Sequence, residues 1–287
     1  MSNDLWLVTT EHLKHKLWFN VDEDFNVGMN YVALCVALSS VRIMAFALMS
    51  NHVHFVLGGS RNDCNLFITR LKQSYSSYHR RKYLSKELLR GNEVDFKSLS
   101  LQDDSFKRAV AYVQMNPVAA NICTQPHGYP WGTGNMFFND SPVNGKKIGD
   151  LSKRAQERFL HSKILLPPAY IADDRGFISP ISYVQTKFVE SVFRTPSNMN
   201  YFLQQSSKSL NENKQGIIPT FRDHLVYSAM EDLCGSLFGR RSFKELDSIQ
   251  RIQVVKQLRR RFSASAHQIS RVISLPVEEV IQMLDTF

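Results

Sequence analysis

A chain of 287 residues, 43% of them hydrophobic, has material for two domains or one large one, which excludes wholesale disorder. Its net charge of +9 and pI of about 9.4 point to a polyanionic partner, nucleic acid before membrane. Cys35, Cys64, Cys123 and Cys234 form no CxxC pair, the N-terminus lacks a basic-then-apolar leader pattern, and no apolar run approaches the ~18 residues that span a bilayer. These features speak against a zinc cluster, a disulfide framework and a membrane span, and the expectation is a soluble cytoplasmic protein.

Residues 5–10 (LWLVTT) are apolar and β-prone and predict a first strand. Asp22 or Asp24 can cap a helix over residues 25–38, where Val27, Tyr31, Leu34, Cys35 and Leu38 recur at three and four. The next stretch, RIMAFALMSNHVHFVLGG, reads as two strands, 42–49 and 52–57, turning at Ser50 and Asn51. Asn62 or Asp63 starts a second helix over residues 64–83, apolar along Leu66, Phe67 and Leu71 and basic at Arg70, Lys72, His79, Arg80, Arg81 and Lys82. Residues 95–101 alternate as a strand. Asp103 or Asp104 caps a third helix over about 105–115, and Pro117 makes Asn116 a poor candidate for plain helix. The loop 123–134 (CTQPHGYPWGTG) closes this part near residue 135.

The order strand, helix, strand, strand, helix, strand, helix predicts an α+β domain, a ferredoxin-like antiparallel sheet with helices on one face. Residues 136–215 are rich in turn chemistry and read as a connector with short helices, such as 152–160. Residues 216–287 predict a helical C-terminal domain with pieces at 221–233, 242–246, 248–262, 266–273 and 277–284. Its short helices and intervening Ser263–Ser265 and Ser274–Pro276 turns suit a helix-turn-helix and a small helical bundle equally; the cluster Lys256, Arg259, Arg260 and Arg261 favours DNA.

His52 and His54 lie one residue apart on a predicted strand, so they share a face while Val53 points the other way. Two imidazoles side by side on a rigid strand make half of a metal site, and the spacing equally suits two ordinary strand histidines. Tyr112 lies on the third helix with Asn116 one turn later on the same face, provided the helix holds that far. A helical tyrosine commonly packs in a core. With a histidine pair and a basic helix in the same domain, it also completes the parts for covalent cutting of a nucleic acid: a metal to polarise the phosphate, a phenolate to attack it. Tyr75, Tyr78 and Tyr83 on the basic helix read as packing or phosphate contacts. Neither GxSxG nor a P-loop occurs.

The blocks ALMSNHVHFVL, LKQSYSSYHRRKY, AYVQMNPVAANI and YPWGTG, in this order, resemble the HUH-motif single-tyrosine transposases of the insertion-sequence-200-like group, closest to the REP-associated tyrosine transposase branch. The resemblance covers roughly residues 5–135. It implies a ferredoxin-like catalytic domain in which His52 and His54 bind Mg²⁺ or Mn²⁺ and Tyr112 is the nucleophile that forms a 5′-phosphotyrosine. It implies Asn116 as the third ligand, ahead of Gln114. It also implies a single-stranded or hairpin DNA substrate tracked by Arg70, Lys72, Arg80, Arg81 and Lys82. Members include monomers and dimers, so a homodimer sharing active-site parts is within the expectation. Two departures stand out: Ser50 where relatives typically carry proline, and RGNEVDFKSLSL in place of an aromatic- and glycine-rich run. The rival expectation is a domesticated DNA-binding or regulatory protein with an idle histidine site.

Overall fold

The computed structural model describes residues 4–10, 17–84, 89, 93–120, 122–141, 143–212, 221–262 and 264–286, with the side chains of 207–212 and Arg260 left out. By contacts the chain forms two compact units, Met1–Glu11 with Glu23–Met49 and Val53–Asn213, and His12–Asp22 with Ser50–His52 and Lys214–Phe287. Residues 136–213, expected as a connector, thus group with the first unit, and the expected boundary near 135 is not one between the two units. The other expected boundary, at 215 and 216, lies outside the described residues.

The first unit is built on β1 (Leu5–Thr10), α1 (Asp22–Ala37), β2 (Arg42–Met49), β3 (His52–Gly58), α2 (Arg61–Tyr83), β4 (Val94–Leu99) and α3 (Ser105–Ala119). The strands form one sheet in the order β2-β3-β1-β4, and β1 runs antiparallel to both β3 and β4. Every residue of β3 is buried, as is β2 from Ile43 on. Strands of that kind need cover on both faces. Phe55 meets Phe46 and, edge to face at 5.4 Å, Phe67 of α2, whereas the neighbouring His54 meets Tyr112 of α3. Since adjacent strand residues point to opposite faces, α2 and α3 cover opposite sides. The expectation of helices on one face is corrected here, and the hydrophobic run through β2 and β3 is the reason.

The edge of β2 is sealed by two later segments. Leu48 N donates to Trp131 O at 2.9 Å, Thr133 N to Phe46 O at 3.0 Å, and Gln185 N to Ile43 O at 2.9 Å. Gly132 is required in the first seal, because a Cβ there would sit 2.8 Å from the Phe46 carbonyl oxygen. The YPWGTG block is therefore a structural strip: Tyr129 Oη bonds Leu48 O, and Trp131 stacks on Phe25 at 4.1 Å while its Nε1 donates to Asn26 Oδ1. Such cover removes an open row of donors and acceptors.

Helix α2 starts earlier than expected. Ser60 caps it, accepting from Asp63 N and donating to Asp63 Oδ2. Helix α3 runs longer than expected, through Pro117 to Ala119. Proline removes one N–H in the last turn, and Ala120 N to Asn116 O with Ile122 N to Pro117 O close that turn regardless. Beyond it come β5 (Gly145–Lys147), α4 (Lys153–Leu160), β6 (Ile171–Asp173), which pairs with β5 in a second small sheet, α5 (Thr186–Phe193) and α6 (Pro196–Glu212). Of these, α6, at 17 residues, is longer than the short helices expected of this stretch.

The second unit holds α7 (Asp223–Phe238), α8 (Ser248–Phe262), α9 (Ala266–Ile273) and α10 (Val277–Asp285) around Val226, Leu233, Val255, Leu258, Ile269 and Val280. Ser274 adopts a left-handed conformation (φ 58°) between α9 and α10. Among the described residues no helix is long and apolar enough to cross a membrane.

Candidate active site

Strand β3 pairs with β1 so that His54 lies opposite Thr9, and Thr9 Oγ1 sits 3.1 Å from His54 Nδ1. The preceding residue of β3 is fixed through its backbone, Val53 N donating to Thr10 Oγ1 at 3.0 Å. His54 is wholly buried and its imidazole meets the Tyr112 ring edge to face, with centroids 5.3 Å apart and planes at 84°. The sequence alone places these two residues on separate elements; the fold brings them into contact.

His52 follows the turn, and its Nδ1 lies 2.8 Å from Asn51 Oδ1. An amide oxygen only accepts, so Nδ1 carries the proton and the lone pair of neutral His52 is on Nε2. That is the tautomer in which imidazole ligates a metal, with its other nitrogen held by an oxygen acceptor. His54 Nδ1 faces the Thr9 hydroxyl, which can donate or accept and so is compatible with either tautomer. Both Nε2 atoms are buried. Two imidazoles held this way, with an amide oxygen or a carboxylate beside them, suit a divalent ion with open positions. Among the described residues no group of three or more His, Cys, Asp or Glu side chains is placed to hold a metal.

Helix α3 places Tyr112 and Asn116 on one half-exposed face, while Ala111, Val113, Gln114 and Met115 are buried. Gln114 Nε2 donates to Thr133 O at 3.2 Å, which ties the helix to the strip sealing β2. Asn116 Nδ2 donates to Tyr112 O at 3.4 Å, so its nitrogen end is turned to the helix backbone.

No family model and no curated protein matches this sequence. A solved structure, "Structure of the REP associates tyrosine transposase bound to a REP hairpin", is similar to it at 12% identity over 46% of this chain and 78% of that one, with a TM-score of 0.38. At that score the overlap assigns neither fold nor function.

The basic helix divides in the structure. Arg80 and Arg81 are exposed on the last turns of α2. Arg70 is exposed and donates to Leu38 O at 2.8 Å, capping α1. Lys72 is buried, and burial lowers its pKa. Lys82 Nζ lies 2.8 Å from Asp24, 2.7 Å from Glu23 and 3.1 Å from Tyr78 Oη. Tyr78 and Tyr83 also donate to Asp24, at 2.9 and 2.6 Å, so the wholly buried carboxylate is surrounded by donors. Burial, and next the Asp24 charge, push the Tyr75 and Tyr78 phenols well up. These tyrosines hold their protons tightly and serve the α1–α2 contact.

In the second unit the basic residues expected to contact DNA lie on α8. Arg259 donates to Ala264 O, Arg261 to Gln257 Oε1 and Lys256 to Thr286 O; the side chain of Arg260 and residue Ser263 lie outside the description. Helix α10, which follows the α9 turn, opens with Glu278 and Glu279. Two carboxylates at that end repel a phosphate backbone.

Sequence reasoning missed Thr9 and Asn51, the oxygen partners of the two histidines. The register of the β1–β3 pair would have exposed Thr9, and Asn51 was legible as the residue preceding His52 in the turn.

Proposed function

We propose that this protein is a metal-dependent enzyme that cuts and rejoins single-stranded DNA beside a hairpin, with Tyr112 as nucleophile. The observation that carries the reading is the Tyr112 ring against the His54 imidazole, 5.3 Å between centroids, on a face that Tyr112 and Asn116 share. In this reading the first unit's sheet is a ferredoxin-like catalytic domain. His52 and His54 hold Mg²⁺ or Mn²⁺ through Nε2, and Asn116 is the third ligand through Oδ1, since its Nδ2 is spent on the helix and Gln114 is spent on Thr133. When bound, the metal polarises the scissile phosphate and offsets charge developing on it.

The step itself is a transesterification. Tyr112 Oη forms a bond to phosphorus as the P–O3′ bond breaks. The proton lost by the phenol is matched by one gained at the departing 3′ oxygen, leaving a 5′-phosphotyrosine and a free 3′ hydroxyl. Attack by a 3′ hydroxyl reverses it, so the backbone is rejoined without an external energy source. Arg80 and Arg81 track the substrate backbone by charge. The work is assigned to the cytoplasm.

A second reading, a DNA-binding protein with an idle site, draws on the burial of both imidazoles, His54 completely. One experiment separates the two: incubation with labelled hairpin oligonucleotides and Mn²⁺, then a denaturing gel. A protease-sensitive shifted band that EDTA abolishes supports the enzyme. Tight metal-independent binding with no covalent band supports the second reading.

A further inference from the structure

Asp223, at the start of α7, is the hub of a buried polar cluster that ends at the β2–β3 turn. Its Oδ2 accepts from Ser50 Oγ at 3.1 Å and Arg271 Nε at 2.8 Å; its Oδ1 accepts from Gln268 Nε2 at 2.9 Å and an Arg271 Nη at 3.0 Å. Asp223, Ser50, Asn51 and His52 are each under a tenth exposed. Ser50 is fixed at its backbone too, its carbonyl accepting from Trp18 N at 2.6 Å and Phe19 N at 3.1 Å. The next residue, Asn51, supplies the oxygen that holds His52 Nδ1. A two-residue hairpin turn is short, so a clamp on Ser50 sets the backbone from which the Asn51 amide is aimed. Four hydrogen bonds on one buried carboxylate, two of them from an arginine, make a stiff anchor.

We infer that Asp223 and Ser50 are positioning residues for His52: the helical unit, through this clamp, fixes the Asn51 amide and hence the His52 tautomer and aim. The inference rests on the metal reading above for its consequence, and on hydrogen bonds alone for its geometry. It gives the residues beyond 214 a part in the chemistry that needs no contact of theirs with DNA. Outer partners of metal-ligating histidines typically change metal affinity 10–100-fold when removed.

The test uses the full chain with ¹⁵N-labelled histidine. In the wild type the His52 ring nitrogens are expected to show a single Nδ1–H tautomer by NMR. Ser50→Ala, which leaves the Asp223–Arg271 pair intact, and Asp223→Asn are expected to give mixed tautomers at His52. The Kd for Mn²⁺ should rise about tenfold in each. Ser50→Thr, which keeps the hydroxyl, should restore both readouts. Circular dichroism of each variant confirms the fold. An unchanged His52 tautomer and unchanged Mn²⁺ affinity in both folded variants would overturn the inference. A wild type that binds no Mn²⁺ while its His52 tautomer still responds to Ser50→Ala would sink the metal reading and leave the positioning standing.

Discussion

Two polar clusters in the first unit each combine tyrosine with charge-bearing partners, and they are finished differently. Around Asp24, three donors meet the carboxylate: Tyr78, Tyr83 and Lys82 close on it, and the phenols of Tyr75 and Tyr78 are pushed up by burial. Around His54, the partners include a threonine hydroxyl and the ring of the partly exposed Tyr112. A closed cluster that neutralises its own charge has no capacity for an added ion. Under the proposed function, the histidine cluster beside the partly exposed Tyr112 is the one that takes the ion. Burial and the Asp24 charge hold the protons on Tyr75 and Tyr78, which is why the proposed function gives the nucleophile's part to Tyr112 rather than to a tyrosine of the basic helix.

The comparison breaks most completely at Tyr112. Tyr112→Phe should leave no covalent DNA band on a denaturing gel, whereas Tyr75→Phe and Tyr78→Phe should keep it; a band surviving in Tyr112→Phe moves the nucleophile elsewhere. Next is the metal. His54→Ala should weaken Mn²⁺ binding, measured by calorimetry, by more than about 100-fold, since loss of an outer partner alone reaches that range. Smaller in scale, Lys82→Met should cost about 2 kcal/mol in denaturant unfolding, because Asp24 stays buried with its cation gone and the partial exposure of Lys82 reduces the full penalty of a broken buried pair. Arg81→Ala should leave stability within about 0.5 kcal/mol and lower the salt slope of DNA binding by about 1. A salt slope that falls with Lys82→Met and not with Arg81→Ala would reverse the roles assigned to the two. A last pair separates two amides: Gln114→Ala should cost about 1 kcal/mol of stability with metal affinity intact, and Asn116→Ala should do the opposite.

Much of this was written in the sequence. The strand bounds at 5–10 and 42–49 and the helices at 248–262 and 266–273 follow from local periodicity, and the structure repeats them. What escaped depends on distant partners. Helix α6 has an apolar face broken by polar residues, and α3 is the element it packs on. Helix α3 outlasts Pro117 because its last turn finds other bonds. At the candidate site, the shared face of His52 and His54 and the one-turn spacing of Tyr112 and Asn116 were legible. The meeting of His54 with Tyr112 was not, because strand and helix are joined only through tertiary packing. Lys82 shows the limit from the other side: its charge was visible, and the carboxylate that absorbs it sits 58 positions earlier.

The seal along β2 also sets an order of events in time. Phe46 is bonded to Thr133, 87 positions later, and Ile43 waits for Gln185, later still. While the chain is being synthesised, β2 therefore leaves the ribosome long before either covering segment exists. A strand buried on both faces in the finished protein spends that interval with an open edge, the condition in which chains pair with one another. Closure over so many intervening residues is also intrinsically slow, so the vulnerable stage is the nascent one.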